Sequence, residues 1–70
     1  MKIYTPKSTM NPPPGVTFIW PNNWQELDHF DDIAIQIGEQ VTFRPPCTIY
    51  WGTKLGDYAQ VSHHAVLRDH

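Results

Sequence analysis

The sequence predicts an α+β fold, with one amphipathic helix packed on a small antiparallel sheet of three to five strands. Three observations carry that expectation. Residues 23–38 form the one long stretch with a helix-like apolar pattern. Short β-branched and aromatic runs, punctuated by proline and glycine, lie on both sides of it. Seventy residues make one domain, 1–70, and a chain of that length buries only about 60% of its unfolded surface, so a single helix on a single sheet uses the core available.

Taken in order, residues 2–4 predict a short edge strand with Ile3 inward. Residues 5–15 hold Pro6 and then Pro12, Pro13 and Pro14, and consecutive prolines lock φ and favour an extended, stiff segment. Residues 16–20 read as a strand, ended by Pro21. The helix follows over 24–37. Trp24, Leu27, Phe30, Ile33, Ala34, Ile35 and Ile37 share one arc at ~100° per residue, and Gln25, Asp28, His29, Asp32 and Gln36 share the other. Asn23 and Glu26 have capping-box spacing, and Gly38 is placed to end the helix. The alternation of Ile33, Ile35 and Ile37 is also strand periodicity, which offers a competing reading for 33–37.

Beyond Gly38, residues 41–43 and 47–51 read as strands separated by Pro45 and Pro46, and 58–62 returns as the second arm of a hairpin. The tail is left open between a strand and a short helix over 63–68 capped by Ser62. No internal repeat is evident. Residues 37–43 also look like the first strand of small SH3-like barrels, so a small β-barrel is the alternative fold.

Charge is unevenly distributed. Residues 1–25 carry Lys2 and Lys7 and no acid; residues 26–39 carry Glu26, Asp28, Asp31, Asp32 and Glu39 and no base. Residues 40–70 balance Arg44, Lys54 and Arg68 against Asp57 and Asp69, and the net formal charge is −2. Too few cations are present to neutralise a run of phosphates. Cys47 is the single cysteine, which precludes an intrachain disulfide and fits a reduced, cytoplasmic setting. No apolar leader or membrane-spanning run is seen.

The chemistry-bearing residues are poorly spaced for catalysis or metal binding. His63 and His64 are adjacent, so they point apart on a strand. His29 and Asp32 lack an evident third ligand, and Cys47 sits in an apolar strand with no base beside it. His70 and the aspartates add ligand types without a pattern. The expectation is therefore no enzyme activity, no metal and no cofactor. Tyr50, Trp51 and Phe43 suit base stacking, with Arg44, Lys54 and Arg68 as flanking cations.

The acidic helix face carries the functional reading. Asp28 and Asp32 are like charges at i, i+4 with no base nearby, and Asp31 adds to them. The predicted partner-binding residues are Trp24, Asp28, Asp31, Asp32, Tyr50 and Trp51. Together they point to a small non-catalytic interaction protein that meets a basic surface of a larger protein or complex. It would modulate that complex, with inhibition favoured, as small regulators and virus-encoded inhibitors do to transcription, nuclease or defence machinery. A nucleic-acid-binding module is the alternative; a membrane partner is not expected, and a homodimer is allowed.

Overall fold

Alternating inward side chains, recurring every six residues, organise the chain into stacked coils. The computed structural model describes residues 1–68. Its strands are β1 (Lys2–Tyr4), β2 (Val16–Ile19), β3 (Ile35–Ile37), β4 (Thr42–Phe43), β5 (Cys47–Tyr50), β6 (Lys54–Leu55), β7 (Gln60–Val61) and β8 (Val66–Leu67). They form three sheets, ordered β2-β5-β8, β1-β3-β6 and β4-β7. Every pairing is parallel except that of β1, which runs antiparallel to β3.

The register defines the architecture. Gln36 pairs with Lys54, Thr42 with Gln60, and Thr48 with Val66, eighteen residues apart in each case. One coil is therefore three six-residue units, one for each sheet, and the chain winds as a short β-solenoid of triangular section. Hexapeptide periodicity of this kind is the signature of a parallel β-helix. Within each unit the first and third residues point inward: Val16 and Phe18, Ile35 and Ile37, Val41 and Phe43, Cys47 and Ile49, Thr53 and Leu55, Ala59 and Val61, Ala65 and Leu67. All of these are buried or half-buried, whereas Thr17, Thr42, Lys54, Gln60 and Val66 between them are exposed. Ile35 and Ile49, both at 0% exposure, mark the centre of the core.

Polar atoms inside this stack are matched. The Thr53 hydroxyl donates to the Tyr50 carbonyl oxygen at 2.8 Å. The Cys47 Sγ lies 3.3 Å from the Arg44 carbonyl oxygen and 3.4 Å from that of Ser62, within reach of a weak S–H donor. Phe18 packs edge-on between Tyr4, 4.9 Å away, and Trp20, 6.1 Å away.

Corners set the turn between sheets. Gly15, Gln40, Gly52, Tyr58 and His64 each stand just before an inward pair, and all have positive φ, from 54° at Gln40 to 81° at Gly52. A left-handed residue bends the chain sharply enough to aim the next unit along the next sheet. Pro46 occupies the equivalent place before Cys47; its ring excludes positive φ, and there the Pro45–Pro46 peptide is cis.

Several expectations are overturned. No helix of two or more turns occurs among the described residues, and residues 24–37 contain a single 3₁₀ turn, Trp24–Glu26. Asn23 makes no side-chain cap there. The isoleucine alternation wins because a strand stacked between two neighbours satisfies its backbone and buries alternate side chains, which an isolated helix face does not. Gly38 is buried in the stack rather than ending a helix: a Cβ on it would lie 2.7 Å from the Asp57 backbone nitrogen. The sheet is neither one antiparallel layer nor an SH3-like barrel, because β5 and β7 belong to different sheets and form no hairpin. Ile3 points outward and Tyr4 inward. The tail over 63–68 contains β8 in place of a helix. A repeat is present, although conservative apolar pairs such as Ala59 and Val61 hide it.

Two stability tests follow from this geometry. Ile49→Ala removes a central core side chain and is expected to cost ~2–5 kcal/mol, enough to unfold most of a domain this small. Tyr58, 70% exposed at φ 63°, carries a left-handed penalty that glycine lacks. Tyr58→Gly is expected to raise stability by roughly 0.5–1 kcal/mol in denaturant titration, the net of relieved backbone strain and added chain entropy.

Candidate functional site

The coil period reveals what does not belong to the coil. Val16 pairs with Cys47, thirty-one residues on, so the first turn of the solenoid is thirteen residues longer than the second. The extra length falls between β2 and β3, at the corner joining the first sheet to the second. Insertions in repeat architectures emerge as loops on one face, which is often the binding face. Here the insertion contains the acidic run.

Local contacts fasten the loop at its base. The Gly52 N–H donates to the Ile33 carbonyl at 3.2 Å, and the Trp51 N–H to that of Ile19 at 3.0 Å, tying both ends of the insertion to the matching corner of the next coil. Ile33 and Ala34 are buried. Trp24 and Phe30 pack with ring centroids 6.4 Å apart, and the Lys7 ammonium lies 5.6 Å from the Phe30 centroid. The acids are left outside: Glu26, Asp28, Asp31 and Asp32 are all exposed.

Two clefts open beside the loop and share Asp32. The first, about 550 Å³, has Glu26, Asp28 and Asp32 at its rim and Leu27, Ile33 and Trp51 beneath; His29 also borders it. The second, about 610 Å³, lies between Asp31 and Asp32 on the insertion and Lys54 and Arg68 on the later coils, over Ala34, Leu55 and Leu67. Tyr50 and Trp51 touch at 5.9 Å, and the Arg68 guanidinium sits 4.2 Å over the Tyr50 ring.

The predicted partner-binding residues are thus largely brought together, though not on a helix. Asp28, Asp32 and Trp51 meet at one cleft, Asp31 and Asp32 at the next, and Tyr50 adjoins Trp51. Trp24 is set back, half-buried against Phe30, and borders neither cleft. Arg68 and Lys54, expected only as flanking cations for stacking, line the same cleft as Asp31 and Asp32. The signal that could have found them is the eighteen-residue period, which sets Lys54 beside Gln36 and Leu67 beside Ile49. Among the described residues no three of His, Cys, Asp and Glu gather as a metal site. His70 lies outside the described residues.

No family model, curated protein or solved structure matches the chain. Among the described residues no helix is long and apolar enough to cross a membrane. The site is therefore read from its own chemistry.

The Arg68–Tyr50 stack gives a direct check on the geometry. A double-mutant cycle of Arg68→Gln and Tyr50→Leu, followed by urea unfolding, is expected to show a coupling of about 0.5–1 kcal/mol, as for exposed cation–π pairs. Additive single-variant effects would place the guanidinium away from the ring.

Proposed function

We propose that the protein is a non-catalytic interaction module, and that its inserted loop docks on a basic surface of a larger protein or complex and modulates it. The observation that carries this reading is the thirteen-residue excess in the first coil. The solenoid closes in eighteen residues without it, and the excess holds Glu26, Asp28, Asp31 and Asp32, all exposed, with no lysine or arginine among residues 26–39. Concentrated charge of one sign steers association with a complementary surface. Trp51 and Leu27 beside the acids supply apolar contact area of the kind that slows dissociation once the surfaces meet.

Proteins that handle nucleic acid carry basic surfaces for the phosphates. Such a surface on a transcription, nuclease or defence complex suits this loop, and occupying it would inhibit. The alternative of base stacking on Tyr50 is less favoured, because Arg68 already covers a face of that ring.

The test compares wild type with Asp28→Asn plus Asp32→Asn in affinity capture from lysate and in association kinetics with the partner recovered. Both residues are exposed, so the fold and melting temperature are expected to be unchanged. The variant is expected to associate more slowly, with a flatter salt dependence and little change in dissociation rate. Wild-type association rates at low salt would show the acids to be ordinary solvated charge. Salt-sensitive binding of a random oligonucleotide by the wild type would instead support the nucleic-acid alternative.

A further inference from the structure

The second cleft differs from the first in carrying both signs of charge. Asp31 and Asp32 line it from the insertion, and Lys54 and Arg68 line it from β6 and from just after β8. Among the described residues the sole ion pair is that of the Met1 ammonium with the Glu39 carboxylate, so no N···O distance across the cleft falls within 4.0 Å. Opposite charges that share a cleft of about 610 Å³ without closing on one another leave room for a bridging ligand.

Arg68 is the better-ordered anchor. Its guanidinium lies against the Tyr50 ring at 4.2 Å, which limits its rotation while leaving its in-plane N–H donors available. A stacked guanidinium presents a fork that matches a carboxylate bidentately. Lys54, on the neighbouring sheet, adds a second positive charge to the lining. The rest of the lining is Ala34, Gly52, Thr53, Leu55 and Leu67, uncharged and mostly small or aliphatic, suited to a short carbon or peptide backbone and not to a further charge.

We propose that this cleft binds small zwitterions, of the class of free α-amino acids and short peptides. The carboxylate sits on Arg68 and Lys54, and the ammonium sits against Asp31 and Asp32. The inference does not depend on the docking role of Asp28 or on any protein partner.

Glycylglycine is the probe. In a two-dimensional amide NMR titration of the full chain, saturable shifts are expected at residues 31–34, 52–55 and 67–68, and not along β4 or β7. Acetate alone and methylammonium alone each satisfy one sign of charge, so each is expected to bind at least about tenfold more weakly. Arg68→Gln and Asp31→Asn are each expected to weaken glycylglycine by about tenfold while leaving the amide spectrum folded. Should Arg68→Gln disturb the fold through loss of the Tyr50 stack, Lys54→Gln, an exposed position, provides the same test of the cationic lining. Absence of saturable shifts, equal affinity for acetate and glycylglycine, or indifference to Asp31→Asn would each overturn the assignment.

Discussion

The whole structure depends on tight corners between short strands, most of them left-handed. An inward pair of side chains occupies three residues, and the chain must then turn before a third inward residue would be driven out of the core. Gln40, Gly52, Tyr58 and His64 perform that turn, and Pro46 takes the six-residue place between Gln40 and Gly52. Because corners recur, strands recur in register, and each backbone ladder is completed by the coil above or below. The Glu39 N–H donates to the Asp57 carboxylate at 2.7 Å, and the Tyr58 N–H donates to the Glu39 carbonyl at 2.9 Å, so even the corners are stitched from coil to coil. The His64 N–H on the Pro46 carbonyl at 2.6 Å does the same at another corner.

Such a framework makes the site rigid where it is built on coils and adaptable where it is not. Trp51, Lys54 and Arg68 sit on or next to paired strands, whereas Asp28, Asp31 and Asp32 project from a segment that the coil geometry does not require. Loops on rigid scaffolds are where binding residues concentrate, since a loop can vary without unpairing a ladder. The scaffold also narrows inward along its length, from Val16 through Cys47 to Ala65 and from Ile35 to Thr53.

How much of this was legible in the sequence depends on the residue. The strands at 2–4, 16–19 and 47–50 announced themselves through β-branched and aromatic content. The pairs Ile35 with Ile37 and Val41 with Phe43 carried the six-residue beat openly. Later pairs carried it in muted form, because Thr53, Ala59 and Ala65 are barely apolar; Ala59 read as part of a hairpin arm and Ala65 as part of an open tail. Residues 24–34 imitated a helix: Trp24, Leu27 and Phe30 fall three apart, and the apolar run of Ile33 to Ile35 extends the arc. In the irregular loop Trp24 packs against Phe30, whereas Leu27 turns to the neighbouring cleft, so the even spacing reflects no common helical face. The acids and the aromatics Tyr50 and Trp51 were visible as residue types. Their proximity was not, since it depends on a parallel register that local propensity does not report.

The central claim is the eighteen-residue parallel register, since it defines both the insertion and the clefts beside it. Interstrand nuclear Overhauser contacts in the full chain test it most directly. The account predicts backbone contacts linking Gln36 with Lys54, Thr42 with Gln60 and Thr48 with Val66. Sequential helical contacts running through residues 24–37, with those three links missing, would contradict it.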